Sequence, residues 1–73
     1  MPHDRTQIYE FQIREDLDDN IEAWFSPLSL THALNGVSIL TGPVRDQAEL
    51  HGVLNRIRDL NLTLLSVNPR PAE

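Results

Sequence analysis

The sequence predicts an α+β fold, in which a four-stranded antiparallel sheet carries two helices on one face, in the order strand, helix, strand, strand, helix, strand. Three observations support this. Short segments alternate apolar and polar residues, as half-buried strands do. Two other segments space their apolar residues by three and four, as helices do. An Asn35-Gly36 pair between two alternating segments is the strongest short hairpin signal.

The first strand is predicted in QIYEFQIR, where Tyr9, Phe11 and Ile13 alternate with polar residues. The chain has 73 residues, which is the length of one small domain, 1–73. We expect an ordered part over 7–68. The polar, proline-containing ends, 1–6 and 69–73, are predicted to be loose tails.

The first helix is predicted to be short and to follow the first strand directly. Asp19 is the expected N-cap, with Glu22 completing a capping box. Pro27 ends the segment, because the residue before a proline is disfavoured in a helix. The apolar residues predicted on one side of this helix are Leu17, Ile21, Trp24 and Phe25.

The second and third strands are predicted to form a hairpin through LSLTHAL and the segment after Asn35-Gly36. A two-residue turn at this pair places Leu34 opposite Val37, with the remaining pairs following in register. Those pairs are His32 with Ile39 and Leu30 with Thr41. Gly42-Pro43 is expected to end the hairpin.

The second helix is predicted to begin at Asp46, which forms a capping box with Glu49. Gly52 is either a helix defect or a point of close packing against the sheet. Asn61 suits the left-handed residue that ends a helix. The last strand is predicted in LTLLSV. The predicted core stripe is Leu50, Val53, Leu54, Ile57 and Leu60.

This order of elements resembles the ferredoxin-like α/β plait, which implies a sheet order of 4-1-3-2. The first helix is shorter than is usual for that fold. The run GPVRDQAELHGVLNRIRDLNLTLLSV, 42–67, also resembles the C-terminal half of a group of small uncharacterised bacterial proteins. Neither resemblance implies an activity, because a fold alone does not fix a function.

Composition argues against several classes of protein. The net charge is −5, there is no lysine, and the six arginines are spread along the chain, so no basic face for nucleic acid is predicted. The chain lacks cysteine, which excludes disulfides and thiolate metal ligands. It also lacks a signal-like apolar run and any stretch near the ~18 apolar residues of a membrane span. We therefore expect a cytoplasmic protein with no nucleic-acid or membrane partner.

No residue pattern predicts catalysis, a metal or a cofactor. The acidic run from Glu15 to Asp19 lacks the glycine and distant glutamate of a calcium loop, and is typical of helix capping. The three histidines have no i, i+4 pair, and no serine lies in a nucleophile elbow. A non-enzymatic protein is therefore expected.

An apolar patch on the sheet face without helices is the main functional prediction. The residues placed there are Ile8, Leu40, Leu65 and Val67; the other register of the last strand places Leu62 and Leu64 there instead of Leu65 and Val67. Because exposed apolar patches usually mark interfaces, we expect a homodimer or another protein partner. The alternative is a small-molecule-binding regulatory module of plait type, with a pocket lined by Arg14, Trp24 and His32. If the strand register is mistaken, the patch residues fill the core instead.

Overall fold

The computed structural model describes residues 6–70. Its four strands form one antiparallel sheet in the order β2-β3-β1-β4. The α+β class, the four-stranded antiparallel sheet and the two helices are therefore confirmed. The elements in chain order are β1 (Gln7–Ile13), α1 (Asp19–Glu22) continued by a 3-10 turn (Ala23–Phe25), β2 (Ser29–His32), β3 (Ser38–Val44), α2 (Gln47–Asp59) and β4 (Leu64–Arg70).

The chain ends differ in part from the predicted tails. Residues 1–5 and 71–73 lie outside the described residues. Pro69 and Arg70 were predicted in the C-terminal tail, but they form the end of β4, opposite Tyr9 and Ile8 of β1. Proline is compatible with this position because β4 lies at the edge of the sheet.

The core lies between one face of the sheet and the helical segments. Side chains from the first helical segment and from α2 join the same buried cluster as Phe11 and Leu40. Burying these apolar side chains is the main source of folding free energy in so small a domain. The buried cluster consists of Phe11, Ile13, Leu17, Phe25, Leu28, Leu40, Val44, Val53 and Ile57.

The first helix is short, as predicted, but its N-cap residue and the exposure of Trp24 differ from the prediction. Asp18 rather than Asp19 is the N-cap, accepting from the backbone N–H of Asn20 over 3.0 Å. Glu22 does not complete a capping box; its Oε2 accepts from Leu30 N–H over 3.0 Å. Trp24 is 61% exposed, so its predicted core position is wrong.

The β2–β3 hairpin has a three-residue loop, so the predicted register is wrong by one residue. Gly36 donates to the carbonyl of Ala33 over 3.1 Å and has a φ of 88°, which favours glycine. Leu30 lies opposite Leu40, and His32 lies opposite Ser38. Leu34, at the tip of the loop, is fully exposed.

This one-residue shift moves the side chains of β3 to the opposite faces of the sheet. Leu40 was predicted on the open face, but Leu40 and Ser38 are both fully buried on the core side. Ile39 lies on the open face and is half-buried. β3 also continues through Gly42-Pro43 to Val44, beyond its predicted end. Gly42 is needed there, because a Cβ would lie 2.9 Å from the Cα of Leu28.

The second helix agrees closely with the prediction. Asp46 is the N-cap and accepts from Glu49 N–H over 2.9 Å. Asn61 has a left-handed φ of 58°, and its N–H donates to the carbonyl of Arg58 over 2.9 Å. Leu62 N–H donates to the carbonyl of Ile57 over 3.0 Å, which completes a Schellman motif. The five predicted stripe residues are buried or pack against the core.

Candidate protein-interaction surface

A buried hydroxyl ties the β1–α1 connection to the end of the sheet. Ser38 Oγ accepts from Leu17 N–H over 2.8 Å and donates to the carbonyl of Glu15 over 2.7 Å. Both of its bonds go to the backbone of the connection, and the residue is fully buried. The hydroxyl is therefore used for structure and is inaccessible to a substrate.

The same connection is held on both sides by other polar residues. His32 Nε2 lies 2.8 Å from the carbonyl of Leu17 and 3.3 Å from Asp16 Oδ1. The Glu15 carboxylate accepts from the N–H of Thr63 over 2.7 Å and from its hydroxyl over 2.8 Å. These two bonds, the backbone one first, lower the pKa of Glu15. His32 and Glu15, whose side-chain types are common in catalytic sites, therefore contact backbone groups that fix this connection.

The residues of the alternative pocket are not gathered around the groove beside α2. Arg14 and His32 are exposed near the Glu15–Leu17 connection, and Trp24 projects from the 3-10 turn. A groove of about 500 Å³ lies between the approach to β2 and the start of α2, and none of the three lines it. Within residues 6–70, no three or more His, Cys, Asp or Glu side chains are placed to hold a metal ion.

The four residues predicted for the interface do not share one surface. Leu40 is fully buried, and Val67 packs against the core, so their predicted placement on the open face is wrong. Ile8 is half-buried on the open face, opposite Arg70. Leu65 is 44% exposed beside a shift in the pairing of β4 with β1. Leu65 and Val67 are, however, both in β4, which is an edge strand.

The direction of the backbone groups in β4 follows from the pairing across the sheet. Leu30 N–H donates to Glu22, so Leu30 directs its backbone groups away from β3. Along an antiparallel strand, successive residues direct their backbone N–H and C=O to alternate sides. Leu40, which lies opposite Leu30, therefore directs its backbone groups toward β1 and forms a hydrogen-bonded pair with Phe11. Phe11 therefore has no backbone N–H or C=O directed toward β4. Its partner Val67 consequently points its N–H and C=O away from the sheet.

Pro69 extends this pattern along the outer side of β4. Two residues beyond Val67, its backbone also faces outward, where its missing N–H costs no bond to β1. From Ser66 to Arg70, Val67 therefore supplies the single outward N–H. We call the outward backbone groups of Val67 and Pro69 the β4 edge.

The two edges of the sheet differ in protection. On β2, which has four residues, the Glu22 carboxylate covers the outward N–H of Leu30. On β4, which has seven residues, no strand within 6–70 pairs with the outer side. Its first two residues, Leu64 and Leu65, are 37% and 44% exposed. Long, apolar, uncovered edge strands are templates for pairing with another chain.

A second unsatisfied group lies in the same strand. Ser66 Oγ is buried and has no hydrogen-bond partner among the described residues. Ser66 lies opposite Gln12 and so faces the open side of the sheet, as Asn68 does opposite Glu10. Buried hydroxyls without partners are rare in folded proteins, so this one needs an explanation.

The sequence contained a signal for this edge that periodicity did not show. A proline inside a strand restricts that strand to the edge of a sheet. The predicted last strand ended at Val67, however, and Pro69 was placed in the tail. Extending the strand by three residues identifies β4 as an edge strand from sequence alone.

The fold and this surface together define a small α+β domain in which Glu22 covers one backbone N–H of the β2 edge and no strand within residues 6–70 pairs with the outer side of β4. The chain belongs to the family described as Domain of unknown function (DUF8691), whose model matches residues 8–68. No curated protein and no solved structure matches the chain. Neither helix within residues 6–70 is long and apolar enough to cross a membrane.

Proposed function

We propose that this protein is a non-enzymatic interaction domain that self-associates through the β4 edge. The observation that carries the proposal is the outward N–H and C=O of Val67, which have no partner strand within residues 6–70, in a seven-residue edge strand that begins with two exposed leucines. A second copy offers the same groups, so that pairing satisfies both chains at once.

The uses of the polar side chains support a role without catalysis. Ser38 and Glu15 are each engaged with backbone groups, and His32 contacts the carbonyl of Leu17. A nucleophile or general base needs a free position beside a substrate. Within residues 6–70 these side chains hold the fold, so we place the function at the uncovered edge of the sheet.

We also propose that the domain is a ferredoxin-like plait with a shortened first helix. Counted from the β4 side, the neighbouring strands are β4, β1, β3 and β2. Side chains of both helical segments pack on the same face of the sheet. In a plait, β4 is an outer strand, which is consistent with a role for this edge. The cytoplasmic location stays a prediction from sequence.

The test replaces Leu65 with lysine, since lysine on an edge strand opposes pairing with another chain. Light scattering of the wild-type chain should give a mass near twice 8.3 kDa. Leu65→Lys should lower this mass toward the monomer while circular dichroism stays unchanged. Leu34→Lys is the matched control, because Leu34 is fully exposed at the hairpin tip.

Two results would contradict the proposal. One is a wild-type chain that remains a monomer at high concentration. The other is a dimer that Leu65→Lys leaves as stable as the control does. In the second case the chain self-associates through another surface.

The ligand-binding alternative keeps a separate test, although Arg14, Trp24 and His32 do not line the groove beside α2. A thermal-shift screen with amino acids, nucleotides and metal ions is the direct measurement. A ligand at 100 times its dissociation constant stabilises the folded state by about 2.7 kcal/mol. A clear rise in melting temperature with one ligand class would favour the alternative.

A further inference from the structure

We infer that two copies pair their β4 strands antiparallel about a two-fold axis at Val67, forming one continuous eight-stranded sheet. This inference rests on the proposed self-association and adds the register and the residue pairs. A two-fold axis perpendicular to the sheet runs between two identical strands, so the strands must be antiparallel.

The register follows first from the length of the strand. β4 comprises Leu64–Arg70, and Val67 is its central residue. An axis at Val67 is the single register in which all seven residues of each strand have a partner. The N–H of Val67 in each copy then donates to the carbonyl of Val67 in the other. The only outward donor between Ser66 and Arg70 is thereby satisfied in both chains.

The charges in β4 are compatible with this register. Arg70 is the one ionic residue in the strand, and its Nη1 bonds Glu10 Oε1 of the same chain over 3.3 Å. In the paired sheet, Arg70 lies opposite Leu64 of the second copy. The two Arg70 residues are six positions apart along the strands, roughly 20 Å. No like charges therefore lie opposite each other.

The side-chain pairs offer a partner for the buried serine. Ser66 lies directly opposite Asn68 of the second copy, with Cβ atoms about 4.5–5.5 Å apart. Both side chains are on the open face. A change of the Ser66 χ1 rotamer brings its hydroxyl to the Asn68 amide. The unsatisfied Oγ in the single chain thus gains a hydrogen bond from pairing.

Cysteine cross-linking tests the register directly, because the chain contains no cysteine. The double variant Ser66→Cys with Asn68→Cys places two disulfides across the axis. Under mild oxidation it should become a covalent dimer on a non-reducing gel. Within one chain the two Cβ atoms point the same way and are roughly 6.8 Å apart, beyond the ~3.5–4.5 Å that a disulfide requires, so an internal disulfide does not form.

The single variants are matched controls that also identify other registers. In the proposed register, the two cysteines that Ser66→Cys introduces, one in each copy, are diagonal neighbours across the two strands and not directly opposite each other. Their Cβ atoms are ~7–8 Å apart, which is too far for a disulfide. The same holds for Asn68→Cys. Slow cross-linking by both, beside fast cross-linking by the double variant, is the expected result. Circular dichroism of the reduced variants checks that each is folded.

The other outcomes separate this inference from the proposed function. Fast cross-linking by Ser66→Cys alone would place the two-fold axis at Ser66. Fast cross-linking by Asn68→Cys alone would place it at Asn68. Either result overturns the proposed register but is consistent with pairing through β4. A dimeric mass without cross-linking in any variant overturns the axis at Val67, and a dimer that Leu65→Lys leaves intact overturns pairing through β4. A monomeric mass overturns the self-association itself.

Discussion

Ser38 Oγ accepts a hydrogen bond from Leu17 N–H over 2.8 Å, joining residues that are 21 positions apart in the chain. The same oxygen donates its proton to the carbonyl of Glu15 over 2.7 Å. One small side chain on β3 therefore fixes the path of the connection that leads from β1 to α1. Because both Ser38 and Leu17 are buried, water is a poor alternative partner for either group of the first bond.

Replacing Ser38 with alanine should destabilise the fold. The variant leaves Leu17 N–H and the Glu15 carbonyl without their partner, which costs about 1–3 kcal/mol. Urea denaturation followed by circular dichroism measures the loss. Ser29→Ala is the control, since Ser29 is an exposed serine on the neighbouring strand. An equal loss in the two variants would show that the buried hydroxyl has no special role.

The Glu15 carboxylate should make the stability of the fold depend on pH in the acidic range. Its pKa is lowered from 4.5 by hydrogen bonds from Thr63, the backbone N–H first. A carboxylate with a lowered folded-state pKa stabilises the fold above its unfolded pKa, and this stability is lost as pH falls through the folded pKa. Glu15→Gln should therefore melt below the wild type at pH 7, and the difference should shrink below about pH 4.5.

The matched variant for this titration is Thr63→Val, which removes the hydroxyl bond and keeps the backbone one. The Glu15 pKa, followed by carbon-detected NMR, should rise only part of the way toward 4.5. A wild-type Glu15 that titrates at or above that value would contradict the geometry.

Two glycines should respond oppositely to the same substitution. Gly42→Ala places a Cβ 2.9 Å from the Leu28 Cα, and such crowding costs about 1–3 kcal/mol. Gly52 lies within α2, where an added Cβ meets nothing within 4 Å. Gly52→Ala should stabilise by about 1 kcal/mol through helix propensity. Thermal denaturation of the two variants measures both changes in melting temperature. If both variants melt higher, or both lower, than the wild type, the packing described for one of the glycines is wrong.

Glu22 should limit association at the β2 edge. Its carboxylate covers Leu30 N–H over 3.0 Å, and Glu22→Ala exposes that donor. Since β4 is the other edge, a chain with two open edges should form assemblies larger than a dimer. Light scattering over a concentration series is the measurement. Glu22→Gln keeps an acceptor oxygen and should behave more like the wild type; equal masses for all three chains would show that Glu22 does not protect the edge.

The second helix was predictable because its signals are local. Asp46, the apolar stripe and Asn61 each act within a few residues, and each lies where the sequence indicated. The hairpin was less predictable. Val37, Ile39 and Leu40 are all apolar, so alternation in β3 fits either face, and the choice depended on the loop length. A loop longer by one residue reversed the assignment.

For the proposed interaction surface, the sequence indicated the strand but not the side of the sheet. It selected Leu65 and Val67, and both residues belong to β4. It could not show their direction, because the path from Glu22 to Leu30 sets the backbone alternation across the whole sheet. The role of Ser38 was also missed, since a serine in an alternating strand indicates a solvent-facing position as readily as a buried one.

The loop between β2 and β3 offers a position for engineering. Leu34 at its tip is fully exposed, and the turn is closed by the bond from Gly36 N–H to the Ala33 carbonyl. A peptide epitope or fluorescent tag grafted at this tip would extend into solvent from a rigid base. The domain is thus a compact carrier for displaying short foreign segments.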